Sequence, residues 1–556
     1  MRIHILRAWI VALVLGSLPL SKVAAQEQVD LLLYNGKVFT ADAMQSIRQA
    51  VAILDNRIVA VGGNALAERY SALRTVDLGG RLVTPGFNDS HIHVNGNPRR
   101  YIDFAGTSSI EEFKEKVKAK AEELGTGEWI TGYGWSEDEF AEQRNPTRWD
   151  LDEAASQNPV IISRAGGHSS VANSLALKIS GVDQNTPQPE HGLLEKDSRG
   201  RLNGIIREAA GMVSRFVPEA TPEELRKSLI ENLEALPAKG ITSITLAGNS
   251  PSGFTEWKEI YDERWGMLPR ATVQIQPSGE SPEEMVFRVR ASGLLTGQGD
   301  DRIRVGAIKI FVDGGYTGPA AWTLEHYRDQ PDYYGYGLHT DAALYEIVKG
   351  LHEVGWQMGF HAIGDAAIAQ AVKVFAQVLD ESPRYDHRHY LNHFTVKPPE
   401  ETLRQMAKYN IHVSQQPNFT YTLEGRYIRN LTDERAAHNN PIRTVTDHGI
   451  FMAFASDILP IGPLVGLYAA VTRKGMSGKA YAPRDEAISM SDAITAYTRN
   501  SAYLTWEEDI KGTIEPGKLA DLVVFSEDLL TIDPDRTMEV EVDFTIIDGN
   551  IVYERP

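Results

Sequence analysis

The chain has 556 residues, of which 42% are hydrophobic and 24% charged, and its 56 basic and 75 acidic residues give a formal charge of −19. This length and apolar content predict one large domain with a smaller one and exclude global disorder. A protein this acidic repels phosphate backbones and anionic lipids, which argues against nucleic-acid and membrane-surface partners. The sequence contains no cysteine, which excludes disulfides, thiolate metal sites and cysteine nucleophiles.

Residues 1–25 are predicted to be a signal peptide. Arg2 and Arg7 form a basic start, residues 8–20 are an apolar run, and small residues precede a cleavage site before Gln26. The apolar run is too short to span a membrane comfortably. We therefore expect an exported protein, periplasmic or secreted, without membrane attachment after cleavage.

Both ends of the mature chain are rich in short β-type runs separated by turns. Residues 26–82 contain several such runs, with a predicted hairpin turn at Asp55-Asn56, and residues 510–556 have the same character. Because chain termini often lie close together, we expect the two segments to form one small β-sandwich domain.

Strand-like and helical runs alternate between these two ends. The strand-like runs fall at 81–93, 241–247, 271–276, 303–313, 357–362, 387–394, 411–416 and 450–457. Such alternation predicts an α/β fold, and eight strands favour a closed (β/α)8 TIM-like barrel over residues 83–509. Residues 95–240, between the first and second strands, exceed what one helix needs and are expected to form an inserted subdomain.

Candidate metal-binding side chains stand at the ends of these strands. His91 and His93 close the first strand and, being two positions apart, lie on one face of it. Because barrel active sites are built at the carboxyl ends of strands, we expect them to meet the other candidates there. Those are Lys309, His361, His393 and Asp457.

Two further features belong to these strands. Asp313 lies on the same strand face as Lys309 and is expected to contact the metal ligands without binding the metal itself. A second His-x-His pair, His387-Arg388-His389, stands lower on its strand, and so we prefer His393 as the ligand from that strand.

At these residues the chain resembles the amidohydrolase superfamily. More narrowly, it resembles the long-chain branch that includes N-substituted formamide deformylase and related metal-dependent hydrolases. Asn392 departs from the pattern, because related sequences usually have glutamate before the ligand histidine. The matching segments are 85–93, 167–169, 172–174, 309–314, 361–365, 456–457 and 515–522.

The resemblance implies two divalent metal ions that activate a shared water. Lys309, carboxylated by carbon dioxide, would bridge them, Asp457 would also move the proton, and His168 would contact the substrate. The donors suit Zn²⁺ and also accept Mn²⁺, Co²⁺ or Fe²⁺. The implied ligands are His91, His93, Lys309, His361, His393 and Asp457.

The predicted activity is hydrolysis of a non-peptide or N-acyl amide C–N bond in a small molecule. Esterase, lactonase, phosphotriesterase or isomerase activity on the same metal barrel stays open, as does a binding protein without catalysis. The oligomeric state is also open, a homodimer included. Many rings in the loops after the fourth and seventh strands favour an apolar or aromatic acyl amide. They are Tyr316, Trp322, Tyr327, Tyr333, Tyr334, Tyr336, Phe419, Tyr421 and Tyr427.

Overall fold

The structure is a computed structural model, and it describes residues 26–137, 140–165, 169–189, 192–316, 320–457, 461–481 and 484–556. The predicted signal peptide lies outside these residues. Within the described ranges, no helix combines the length and apolar character needed to cross a bilayer.

The described part of the chain begins with short strands joined by tight turns. In the turn between the fourth and fifth strands, Asp55 has a φ of +52°, which a two-residue hairpin turn requires. The elements are β1 (Glu27–Tyr34), β2 (Lys37–Phe39), β3 (Ile47–Arg48), β4 (Ala50–Leu54), β5 (Arg57–Gly62), α1 (Leu66–Arg69), β6 (Tyr70–Asp77) and β7 (Leu82–Pro85).

A long segment with a sheet of its own follows strand β8 (Phe87–Ile92). Its elements are β9 (Tyr101–Asp103), α2 (Ile110–Leu124), β10 (Ile130–Trp135), α3 (Arg148–Ala155), β11 (Val160–Arg164), β12 (Ser169–Ala172), α4 (Ser174–Ile179), β13 (Leu193–Lys196), β14 (Leu202–Arg207) and α5 (Gly211–Ser214). The six strands form a mixed sheet in the order β13-β14-β12-β11-β10-β9. Helices α2 and α3 bury apolar side chains in a core shared with these strands.

Alternating helices and strands make up the central part of the chain. They are α6 (Pro222–Glu234), β15 (Ile241–Asn249), α7 (Pro251–Arg264), β16 (Arg270–Ile275), α8 (Pro282–Ala291), β17 (Ile303–Ile308), α9 (Asp341–His352), β18 (Gly359–Ala362), α10 (Asp365–Glu381), β19 (Tyr390–His393), α11 (Glu400–Tyr409), β20 (His412–Gln415), α12 (Asn418–Thr422), α13 (Glu424–Asn430), α14 (Asp433–Ala437), α15 (Arg443–Asp447) and β21 (Met452–Phe454). Every strand pair in this part is parallel, as βαβ connections require.

The eight parallel strands form two sheets. One has the order β17-β16-β15-β8 and the other β18-β19-β20-β21. The sheets meet at isolated parallel bridges: Ile308 with Met358 and Phe311 with His361 at one edge, and Ile92 with Asp457 at the other. The predicted α/β fold is confirmed, but the predicted closed barrel is not one continuous ladder. The strands at these edges, β18 and β21, have only four and three residues, which leaves little backbone for pairing.

The last part of the chain returns to the strands of the first. It contains α16 (Pro463–Thr472), α17 (Met490–Thr495), α18 (Ser501–Leu504), β22 (Leu522–Phe525), β23 (Val542–Ile547) and β24 (Asn550–Glu554). β22 lies beside β7, so strands from both chain ends share a sheet in the order β24-β23-β22-β7-β2-β3. Leu522 and Ile546 of this sheet pack in one apolar core with Leu31 and Val51 of the sheet β5-β4-β1-β6.

Candidate metal centre

Three predicted ligands meet where β8 and β21 end. Nε2 of His91 lies 3.4 Å from Oδ1 of Asp457, and Nε2 of His93 lies 3.3 Å from the same oxygen. The ligand atoms of these three side chains all lie within 4.8 Å of one another. Asp457 has a φ of +61°, so the chain leaves the extended conformation at the aspartate itself. Two imidazoles and a carboxylate at these distances can hold one divalent ion.

The other three predicted ligands also lie close by, with Lys309 and His393 beside His91 and His361 beside His393. Nζ of Lys309 is 3.2 Å from Nε2 of His91. The ring centre of His393 lies 4.9 Å from that of His91 and 4.4 Å from that of His361. All three side chains are buried. The structure therefore brings all six predicted ligands into one cluster.

The donor set of this cluster fits divalent cations. Nε2 of His361 is buried without a hydrogen-bond partner in the described structure, and Oδ1 of Asp313 stands 3.6 Å from it. A buried polar atom without a partner is costly, and a bound ion would remove that cost. Four imidazoles and a carboxylate suit Zn²⁺ and neighbouring transition metals.

Burial controls the protonation of these groups. It lowers the pKa of the Lys309 amine to about 7, although the Asp457 carboxylate opposes the shift. Burial also lowers the pKa of His361 and of His393 well below the ordinary value. Burial alone would raise the pKa of Asp457, but hydrogen bonds from His91 and His93 lower it well below its usual range. The cluster thus contains neutral imidazoles, a carboxylate and a lysine that can lose its proton near neutral pH.

The Asp313 carboxylate connects the loops on either side of His361. It accepts hydrogen bonds from the backbone N–H groups of Trp322, Ile363 and Gly364 at 2.8–3.0 Å. Burial raises its pKa to about 7, against the effect of these N–H groups. Asp313 therefore holds the loop after Lys309 against the loop after His361.

Two buried residues outside the predicted set contact the cluster. Oδ1 of Asp89 accepts hydrogen bonds from the backbone N–H of Ser456 at 2.9 Å and of His91 at 3.3 Å. Oε1 of Gln416 lies 2.9 Å from Nδ1 of His393, 23 positions earlier in the chain. Asp89 could have been found because it stands two positions before His91. Gln416 has no such local signal, since it follows a different strand.

Comparison with known proteins decides the family. Residues 74–553 match the model of the amidohydrolase family, Amidohydro_3. The chain belongs to the amidohydrolase family. The family and the cluster together make it a metal-dependent hydrolase.

Individual relatives agree with the family. YtcJ of Bacillus subtilis (strain 168), named as an amidohydrolase, is 28% identical over 541 residues, which cover 94% of this chain and 99% of YtcJ. N-substituted formamide deformylase of Arthrobacter pascens is 27% identical over 557 residues, covering 95% and 98%. An uncharacterized metal-dependent hydrolase from Pyrococcus horikoshii OT3 has 24% identity and a TM-score of 0.67, covering 91% and 99%. The predicted resemblance is confirmed, and the structural likeness shows the same α/β fold.

The other predicted residues of this amidohydrolase are not part of the described cluster. His168 falls outside the described residues. His387 and His389 lie at the amino-terminal side of β19, where Nδ1 of His389 accepts a hydrogen bond from the backbone N–H of Met358. Nε2 of His389 is 2.9 Å from Nδ1 of His352. The second His-x-His pair is thus part of a buried hydrogen-bond network, and His393 is the histidine of this strand that joins the metal cluster.

The aromatic residues of the loops differ in burial. Tyr316, Tyr327 and Tyr427 are buried and form a small core above the strands. Tyr334 and Tyr336 are 42% and 52% exposed. The three buried tyrosines therefore pack the loops against each other.

Two phenyl rings lie directly against the histidines of the cluster. The ring of Phe311 is 4.9 Å from that of His361 and 5.0 Å from Nζ of Lys309. The ring of Phe419 stacks on that of His393, with 6.0 Å between centres and 7° between planes. Apolar surface therefore borders the polar centre on two sides.

Proposed function

We propose that this protein is an exported binuclear metallohydrolase that cleaves the C–N bond of a non-peptide or N-acyl amide. The observation that carries the proposal is the cluster of four histidines, one aspartate and one lysine at the strand ends. The name of one relative, N-substituted formamide deformylase, supports an amide substrate. The same proposal includes the domain organisation. Residues 83–509 would form a closed barrel that carries an inserted segment at 95–240. Residues 26–82 and 510–556 would together form the β-sandwich domain.

The cluster divides into two halves that would each hold one divalent ion, most simply Zn²⁺. His91, His93 and Asp457 form the first half, and His361 and His393 form the second. Bound there, such ions lower the pKa of a water and polarise the carbonyl of the amide. Neutral imidazoles bring no charge, so a further anionic ligand between the halves favours binding of two cations.

Lys309 is the residue that would supply this anion. An ammonium has no lone pair and cannot bind a cation. In its neutral form the amine adds to the carbon of carbon dioxide: one N–C bond forms, one C=O π bond becomes a C–O⁻, and one N–H proton leaves to solvent. The resulting carbamate carries one negative charge and two oxygens. The pKa of Lys309, lowered by burial to about 7, supports this reaction under mildly alkaline conditions.

Asp457 is the group that would move the proton of the attacking water. Its pKa is low, so its carboxylate is ionised and can accept a proton at a free oxygen. The protonated carboxyl then donates that proton to the nitrogen that leaves the amide. This transfer prevents expulsion of an amide anion, which is a poor leaving group.

Phe311 and Phe419 support an apolar or aromatic substituent on the amide. Both rings border the cluster, and apolar walls around few polar groups are typical of small-molecule sites. We expect N-acyl or N-aryl amides with apolar side chains to be better substrates than small polar amides. Phe311→Leu should lower kcat/KM for the aromatic amides while leaving the metal content unchanged. A preference for cationic or sugar substrates would contradict this expectation.

Metal analysis combined with a substrate screen tests the proposed function. Protein reconstituted with Zn²⁺, Mn²⁺ or Co²⁺ is expected to bind close to two ions per chain and to hydrolyse members of an amide and N-formyl panel. His91→Asn should lose metal, whereas the control His387→Asn, from the buried network, should keep it. Folded protein without metal would overturn the proposal. Faster hydrolysis of esters, lactones or phosphotriesters would show that the substrate belongs to that class and is not an amide.

A further inference from the structure

Gln416 is a fully buried glutamine that directly follows β20. Its Oε1 lies 2.9 Å from Nδ1 of His393, and its Nε2 lies 3.4 Å from the backbone carbonyl of Ser414. Because a carbonyl oxygen only accepts hydrogen bonds, Nδ1 of His393 carries the proton in this contact. The lone pair of the neutral ring is then on Nε2, which remains available as a ligand.

The backbone of His393 does not orient its ring in the way a regular strand would. Its φ is +76°, so the alternation of side chains along β19 ends at this residue. The ring nevertheless lies 4.9 Å from that of His91 and 4.4 Å from that of His361. Stacking on Phe419 fixes the plane of the ring but not which nitrogen is protonated. The hydrogen bond to Gln416 determines which nitrogen carries the proton.

We propose that Gln416 is a positioning residue that holds His393 in the Nδ1–H tautomer and thereby raises the affinity of the centre for one divalent ion. The affinity part rests on the proposed metal-dependent function, whereas the tautomer part does not. Outer hydrogen-bond partners of ligand histidines contribute ~10–100-fold to metal affinity or activity. We expect a loss of this size when Gln416 can no longer accept a hydrogen bond.

The neighbouring residue Gln415 provides a matched control. It is also fully buried, but its Nε2 donates to backbone carbonyls, that of Phe394 at 3.2 Å and that of His393 at 3.5 Å. Its Oε1 has no hydrogen-bond partner in the described structure. Gln415 thus occupies the same layer of the molecule without contacting the imidazole ring of His393.

The tautomer is measured in metal-free protein by ¹⁵N NMR with labelled histidine, and the His393→Asn variant assigns the signal. Wild type and Gln416→Glu, which keeps an acceptor, should show the Nδ1–H tautomer. Gln416→Met should show a mixture with the Nε2–H tautomer, whereas Gln415→Met should match wild type. An unchanged tautomer in Gln416→Met would overturn the proposal. If that variant does not fold, Gln416→Asn, which withdraws the amide by one methylene, takes its place.

Zinc affinity is measured in parallel by competition with a chelator. Gln416→Met should bind one ion ~10–100-fold more weakly, and Gln416→Glu should restore the affinity. A changed tautomer with unchanged zinc affinity would also overturn the positioning role. Wild-type protein that binds no zinc but shows the Nδ1–H tautomer would refute the metal-dependent function, while the contact between Gln416 and His393 would stand.

Discussion

The surroundings of Lys309 decide the chemistry available to that side chain. The amine is fully buried beside Nε2 of His91, and no carboxylate of the described chain lies within ion-pair distance of it. An ammonium without an anionic partner is costly in such a place, so the neutral amine is favoured. A neutral amine at the centre of a metal cluster is ready for carboxylation, as the proposed function requires.

Lys309→Ala tests that role. We expect the variant to lose most of its bound metal and its activity while remaining folded, because the apolar core around the strands is intact. A short carboxylic acid, small enough to enter the vacated space, should restore part of both. Metal content and far-UV circular dichroism measure the two effects. Native mass spectrometry that finds an unmodified lysine in active, metal-loaded wild type would refute the bridging carbamate.

His412 is a buried histidine outside the metal cluster. Its ring packs against Phe451 and Tyr503, and its Nδ1 has no hydrogen-bond partner in the described structure. Burial lowers its pKa from 6.5 to about 3. The unfolded chain therefore binds more protons than the folded chain between these values. The stability contributed by His412 is complete above about pH 6.5 and decreases as the pH falls towards 3.

His412→Phe should make the protein less sensitive to acid. Between pH 8 and pH 5 we expect wild type to lose about 2 kcal/mol of unfolding free energy through this histidine, and the variant to keep it. Urea unfolding at both pH values measures the difference. His448 should behave oppositely, since hydrogen bonding to Glu400 raises its pKa and its contribution is lost as the pH rises. Equal pH dependence of wild type and His412→Phe would contradict the prediction.

The loops after β17 and β18 form a structural unit around the metal cluster. Asp313 accepts hydrogen bonds from both loops, and Gly364 passes directly beside Trp322. A Cβ at Gly364 would lie 1.8 Å from the backbone oxygen of Trp322. Because that neighbour is backbone, a larger residue would have to move the whole loop.

Gly364→Ala should therefore disturb both loops. We expect a loss of about 1–3 kcal/mol of unfolding free energy and weaker metal binding, because His361 precedes this loop. Gly211→Ala is the control: no atom lies within 4 Å of its added Cβ, and in α5 alanine should be neutral or stabilising by up to about 1 kcal/mol. Denaturant unfolding and zinc titration measure both variants. If the two variants were equally stable, the predicted steric clash at Gly364 would be wrong.

A buried ion cluster joins the central strands to the sheet of the chain ends. Arg270, at the start of β16, donates to Asp521 at 2.7 Å and to Asp548 at 3.0 Å. The side chains of Arg270 and Asp521 are 1% and 5% exposed. Asp521 lies just before β22, so the cluster connects residues 251 positions apart. Removing one partner of such a pair leaves a buried charge without compensation.

Asp521→Asn should therefore destabilise the whole molecule by about 3–5 kcal/mol. Glu27→Gln is the matched control, because its pair with Arg69 is 58% exposed on both sides and such pairs contribute about 1 kcal/mol or less. Chemical unfolding followed by tryptophan fluorescence measures both variants. A small effect of Asp521→Asn would show that Asp548 alone compensates Arg270.

Much of the centre was predictable because its ligands stand at the ends of recognisable strands. His91, His93 and Asp457 follow apolar runs, and parallel strands bring their carboxyl ends to one edge. The remaining site residues were not predictable in this way. Gln416 contacts His393 although it follows a different strand, 23 positions further along the chain. Tyr316 and Tyr427 are buried in the loops, and residue type alone does not distinguish such tyrosines from rings that contact a substrate.

The sequence by itself determined the family, the α/β class and the six side chains of the cluster. These follow from local patterns: apolar runs of strand length, the position of polar residues at their ends, and motifs in a specific order. Only the tertiary structure decided which partners those side chains have. The contact of His393 with Gln416, the pairing of Arg270 with Asp521 and the division of the eight strands into two sheets depend on distances between segments far apart in the chain. Residue spacing along a chain carries no information about such distances until the chain is folded.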